Sequence, residues 1–170
     1  HMGGLNKLDL KNNNFTHYKK KENNGTSISS DIVMDIVSYG DNLLLSTYNG
    51  ILVFNPESGK FNPFFSNKEY FQKTQYSQEL LIDNHSNLWI VGVHNGIYRY
   101  NFKSEVMTPY RQTTDTINGI SSDNINGIYL DSSQRLWIYT NEYGLDVYHH
   151  YTGNFENFDM EIGRGSNVGY

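Results

Sequence analysis

The stretch "NLWIVGVHNGIYRYN", Asn87 to Asn101, decides the fold. An apolar run carrying Trp89 stops at the short turn His94-Asn95-Gly96, and an aromatic run alternating with polar residues follows. Alternation at period two marks a strand with one face on a core, and Asn-Gly between two such runs marks a hairpin. Matching pieces recur along the chain. "GLNKLDLKNNNFTHY" begins at Gly4, "GILVFNPESGKFNPF" at Gly50, "GIYRYNFKSEVMTPY" at Gly96 and "GLDVYHHYTGNFENF" at Gly144, so the glycines are 46, 46 and 48 residues apart. An apolar or aromatic residue stands four positions after each glycine (Leu8, Phe54, Tyr100, Tyr148), and an aromatic one stands fourteen after (Tyr18, Phe64, Tyr110, Phe158).

Two further pieces hold the same register. "NLLLST" (42–47), "NLWIVG" (87–92) and "RLWIYT" (135–140) precede the last three glycines. Before them lie "DIVMDIVS" (31–38), "SQELLID" (77–83) and "NINGIYLD" (124–131). "ISSD" recurs at 28–31 and 120–123, a distance of 92, or twice 46. Each repeat therefore holds four short runs, A to D, joined by tight A–B, B–C and C–D turns and a longer D–A connection. A lone four-stranded meander buries only one face poorly, so copies must stack on one another. Four-stranded units at a period of 40 to 50 residues are the sign of β-propeller blades.

The expected fold class is all-β, a partial propeller of antiparallel four-stranded blades with a repeat of about 46 residues and few helices. His1-Met2 reads as a cloning scar, and residues 3–170 as a fragment of a β-propeller. Within it lie a blade remnant at 3–30, three complete blades at about 31–76, 77–122 and 123–165, and the start of the next at 166–170. Such a piece, cut in mid-blade, is expected to form an open arc or to close against another copy, because bare strand edges recruit partners.

Composition narrows the function. With 13 basic and 18 acidic residues the formal charge is −5, and Lys19-Lys20-Lys21 is followed at once by Glu22, so no basic stripe for nucleic acid exists. The absence of cysteine excludes disulfides, thiolate catalysis and cysteine-ligated zinc. No run approaches the roughly 18 apolar residues of a membrane span, so direct membrane contact is not expected of this segment. The 14 Tyr, 9 Phe and 2 Trp, with 15 Gly and only 3 Pro, suit short strands and tight turns.

The pattern resembles the two-component regulator propeller repeat. "ELLIDNHSNLWIVGVHNGIYRYN" carries it best, "NINGIYLDSSQRLWIYTNEYGLDVYHH" follows, and "GGLNKLDLKNNNFTHY" matches the second half of a unit. The second copy departs from it with Leu44 at the tryptophan position, and the paired glycine is kept only at Gly3-Gly4. The resemblance implies the periplasmic sensor region of a hybrid two-component system of Bacteroidetes-type bacteria, anchored in the inner membrane and coupled to a histidine kinase. It implies oligosaccharides as ligands and a non-catalytic role for this segment. A propeller lyase or glycosidase and a structural interaction scaffold are the alternatives.

Strand direction puts the B–C turns and D–A connections at one end of the stack. That end gathers the candidate ligand-binding residues Tyr48, Asn49, His94, Asn95, Asn141, Glu142 and Tyr143, with Asp31 and Asp123 from the "SSD" segments. Amide, aromatic and carboxylate groups suit sugar hydroxyls and ring faces, while Asn and Gly also serve turns and "SSD" also bonds the backbone leading into strand A. Trp89, Trp137, Tyr98, Tyr100, Tyr129 and Tyr148 are assigned to the core, each indole N–H with a partner. Asp83 and Asp131 begin A–B turns as Asx residues. The adjacent His149-His150 point to opposite faces of a strand and make no metal pair. Gly163-Arg164-Gly165 is no phosphate cradle, and Asp35 with Glu79 is the only acidic pair with a place near a propeller axis. No catalytic residue, cofactor or metal site is assigned. The expected partners are an oligosaccharide and neighbouring blades or a second copy.

Overall fold

Strands occupy the runs read from the sequence. The structure is a computed structural model and describes residues 3–22, 26–113, 119–141 and 144–158. The scar at 1–2, the glycine-arginine loop at 163–165 and the segment 166–170 lie outside the described residues. A two-stranded ribbon comes first, β1 (Leu5–Asp9) and β2 (Asn14–Tyr18). The first four-stranded sheet is β3 (Val33–Tyr39), β4 (Asn42–Thr47), β5 (Gly50–Asn55) and β6 (Lys60–Pro63). The second is β7 (Ser77–Ile82), β8 (Asn87–Gly92), β9 (Ile97–Asn101) and β10 (Val106–Tyr110). The third is β11 (Ile125–Leu130), β12 (Leu136–Thr140), β13 (Leu145–His149) and β14 (Asn154–Phe158). Each is an antiparallel meander in chain order, A to D.

The sheets pack face to face, with β7 lying against both β3 and β11. Period-two alternation does the sorting. Leu88 and Ile90 of β8 join Leu44, Ile51 and Leu80 in the seam between the first and second sheets. Trp89 and Val91 turn the other way, into the seam with Ile128, Leu136, Ile138 and Tyr148 of the third. All six residues of β8 are buried, as a strand covered on both faces must be.

Two of the core assignments need correcting. Trp89, Tyr98 and Tyr148 are buried and the half-buried Tyr100 packs against the core of the first seam, but Trp137 is half-buried outside both seams and Tyr129 is 63% exposed. Trp137 and Tyr129 pair in register on the face of the third sheet that points away from the second, and no described residue beyond β14 covers that face. Trp89, at the same repeat position, is covered by the third sheet.

At the non-tryptophan position, Leu44 leaves volume that other aromatics supply. Phe65 and the half-buried Phe64, Tyr70 and Phe71 join its cluster from the connection between β6 and β7, the last two on a short helix, α1 (Lys68–Lys73). Asn67 caps α1 by accepting hydrogen bonds from the Glu69 and Tyr70 amides. The Phe71 ring lies 3.0 Å from where a Cβ of Gly50 would stand, and Gly50 takes a φ of 95°, so only glycine fits there. In the turn of the opening stretch, Gly96 has a positive φ as expected, but its partner is His94 rather than Asn95.

Candidate ligand-binding site

Every inner strand carries a β-bulge near its start, at 33–35, 77–79 and 125–127. A bulge leaves one residue out of the ladder and re-aims its side chain. The residues set out of register are Met34, Gln78 and Asn126. Gln78 and Asn126 therefore face one cavity at the B–C end of the seam between the second and third sheets. It has a volume of about 390 Å³ and is lined by Gln78, Val93, His94, Asn124, Ile125, Asn126 and Asn141.

The lining is prearranged by amide pairs. His94 Nδ1 lies 2.6 Å from Asn124 Oδ1, and Asn126 Nδ2 donates to Asn141 Oδ1 at 2.6 Å. The Asn141 amide donates to the Asn124 carbonyl across the strand. These side-chain donors and acceptors offer hydroxyl groups a set of hydrogen bonds.

Of the nine residues proposed from sequence, the structure brings two, His94 and Asn141, to this cavity. Glu142 and Tyr143 lie outside the described residues. Asn95 is exposed in the same turn. Tyr48 stands at the neighbouring seam, edge-on to Tyr76 at 4.4 Å. Asn49 spends its Nδ2 on the Ser29 carbonyl at 3.0 Å. Asp31 and Asp123 each accept a backbone amide at 2.7 Å, from Lys20 and Gln112, equivalent positions of two repeats. Ser30 and Ser122 accept the amides of Ile32 and Asn124, so the "SSD" segments tie down the backbone leading into strand A. Gln78, Asn124 and Asn126 were missed. No alternation signal finds Gln78 or Asn126, because a bulge sets each of them out of register.

Asp35 and Glu79 occupy equivalent bulge positions and do a structural job. Asp35 Oδ2 accepts the Leu80 amide at 2.7 Å, and Glu79 Oε2 accepts the Ile128 amide at 3.1 Å, so each carboxylate bolts its inner strand to the next. Burial raises the pKa of Glu79 above the ordinary glutamate value, the Ile128 amide opposes that, and Asp35 adds a further push upward. In the third sheet the position is Gly127, where a Cβ would collide with the Tyr139 hydroxyl.

The opposite end of the same seam is also polar. Asp83 and Asp131 make the expected Asx turns, each accepting an amide two residues on at 2.9 Å. Each also accepts its tryptophan indole, Trp89 at 2.8 Å and Trp137 at 3.0 Å. The Trp137 indole, with the Arg135 amide, holds Asp131 well below the usual carboxylate range. Beside Asp83 the His85 and His150 rings stack with centroids 3.9 Å apart and planes at 17°. Both line a cavity of about 530 Å³ that also includes Arg99, Asn101 and Ser104. Burial holds His150 below its ordinary pKa, against an upward pull from Asp83. His149 turns the other way and lies 3.0 Å from Glu156.

No family model and no curated protein matches the chain. Solved structures do. The extracellular domain of BT3049 from B. thetaiotaomicron, described as a hybrid two component system, is similar with a TM-score of 0.73 and 22% identity, over 91% of this chain and 20% of that one. The extracellular domain of BT4673 from the same organism, also described as a hybrid two component system, gives 0.71 and 20% identity over 95% of this chain and 20% of that one. A second structure of the BT4673 extracellular domain, described as a one component system, gives 0.67 and 17% identity over 92% and 22%. The chain thus spans about one fifth of the length of these domains. At such identities the likeness is one of fold.

Proposed function

We propose that this chain is part of an extracytoplasmic, periplasmic sensor region that binds an oligosaccharide without transforming it and passes the binding on through the packing of neighbouring blades to a histidine kinase. The observation that carries the reading is the amide-lined cavity of about 390 Å³ between two stacked sheets. Sugar hydroxyls both donate and accept, and Gln78, Asn124, Asn126 and Asn141 do the same. The fold shared with extracellular domains of two-component systems supports the sensor role. The cavity straddles two sheets, so a ligand there binds one seam geometry better than another and shifts the population between them. In the whole protein the three sheets belong to a complete propeller.

Isothermal calorimetry with a panel of neutral oligosaccharides, followed by chromatography of the recovered sugar, tests this. The expected result is saturable binding, a loss of about tenfold or more in affinity for Asn126→Ala, in line with roughly 1.4 kcal/mol for lost hydrogen bonds, and unchanged sugar. Binding untouched by Asn126→Ala and Asn141→Ala would remove the cavity from the reading, and a shortened sugar product would replace sensing by catalysis.

A further inference from the structure

Aromatic rings bridge both seams between the four-stranded sheets. Between the first and second, Tyr39 at the end of β3 stacks on Phe102 of the next C–D turn, at 5.4 Å and 25°. Between the second and third, His85 of the A–B turn stacks on His150, the C–D turn residue at the repeat position of Phe102. An imidazole pair fills the space less well than Tyr and Phe, and it brings nitrogens that need partners. The His150 side chain is only 9% exposed, and its Nε2 is one of three buried side-chain polar atoms without a hydrogen-bond partner among the described residues. A buried polar atom left unpaired destabilises a fold, and the ring's polar neighbours in the seam are the Gln134 backbone and Asp83.

Beside this pair stands Asp83, whose side chain is wholly buried. One ligand atom from each of Asp83, His85 and His150 lies within 4.8 Å of the others. The Asp83 Oδ2 to His150 Nδ1 distance is 3.8 Å, too long for a hydrogen bond and longer by about 0.4 Å than the separation of two ligands on one tetrahedral ion, a gap that a small ring rotation closes. The carboxylate is held in place by others: Oδ1 accepts the amides of His85 and Asn87, and Oδ2 accepts the Trp89 indole. Asn87 Nδ2 reaches both oxygens, at 3.2 Å to Oδ1 and 2.9 Å to Oδ2, so an ion at Oδ2 competes with that amide for the oxygen. Such outer hydrogen bonds orient a metal-binding carboxylate.

We propose that Asp83, His85 and His150 form a binding site for a divalent transition-metal ion of the zinc type, clamping the second sheet to the third. Two imidazoles and a carboxylate are the ligand set that such ions prefer, with the fourth position left to water or ligand. Stacked rings direct their lone pairs in parallel, so binding requires one to turn. His85 is the one that does, being exposed on its turn while His150 is enclosed. His149, the sequence neighbour, takes no part because it points to the other face.

The test is calorimetric titration of zinc chloride into the metal-stripped chain, with visible absorption of the cobalt form as a second readout. The His85→Tyr/His150→Phe double variant keeps an aromatic pair across the seam while removing both candidate ligand nitrogens. Expected are one zinc per chain, a zinc-dependent rise in Tm, loss of both in the double variant, a loss of at least tenfold in affinity in His85→Asn, and no change in His149→Ala. Absence of zinc binding to the unmodified chain overturns the proposal, as does binding that survives in the double variant or disappears in His149→Ala. If the double variant fails to fold, His85→Asn decides, because the enclosed His150 is untouched: unchanged affinity there overturns the site.

Discussion

At the seam between the first and second sheets Leu44 occupies the position that Trp89 holds at the next seam, and the surroundings have adjusted to each. Around Leu44 gather Phe64, Phe65, Tyr70 and Phe71 from the connection that includes α1. Around Trp89 gather Tyr110, stacked at 5.9 Å, and Tyr148, edge-on at 4.8 Å, with the indole N–H held by Asp83. One repeat position thus supports two solutions, a small aliphatic backed by a helix and a large indole backed by a buried carboxylate. The lesson is that the repeat specifies a backbone, while each seam is packed separately. What the second seam gains is polarity: amides at one end, imidazoles and Asp83 at the other.

The largest effect should come from the indole itself. Trp89→Ala should cost about 3–5 kcal/mol in urea unfolding, the range for emptying a buried aromatic site. Trp137→Ala, on the half-buried face, should cost about 1–2 kcal/mol, since less area leaves water there. Equal losses would break the distinction between a covered and an uncovered face. Next comes the reverse exchange. Leu44→Trp should destabilise by about 1–3 kcal/mol, because Phe64 and Phe65 already occupy the space an indole needs; a gain in stability would show that the first seam is merely underfilled.

The smallest effect concerns the carboxylate bolts. Burial raises the Glu79 pKa in the folded chain, so between the ordinary glutamate range and that raised value the folded state holds more protons than the unfolded one. Stability from this group is therefore present at lower pH and is lost as pH rises through the folded-state value. Glu79→Gln, which keeps an oxygen for the Ile128 amide, should flatten that decline in unfolding curves taken across the acidic range. A slope unchanged by the substitution would assign it to another group.

Much of this was legible in the chain. The glycine spacing and the period-two runs place all three sheets, because turn and strand depend on residues a few positions apart. The Asx role of Asp83 was legible from its turn, and the demand of Trp89 for a partner from its indole. That the two needs meet in one hydrogen bond was not. Tyr129 and Trp137 were read as core from their repeat position, yet burial depends on what lies across the sheet face, which a repeat position does not record. Of the cavity, the turn residues His94 and Asn141 were read correctly as loop positions of one end. Gln78 and Asn126 escaped because a one-residue bulge reverses which face a strand residue serves, and bulges leave no strong mark in a pattern of alternation.

By itself, then, the sequence determined the antiparallel units, their number of strands and the order in which they follow one another. All of these rest on contacts between near neighbours. The tertiary structure alone decided which polar groups converge. His85 and His150 are 65 positions apart, and they meet only because one sheet's A–B turn is laid beside the next sheet's C–D turn. That juxtaposition follows from the twist and stacking of whole sheets, a long-range outcome that no local window of residues can express.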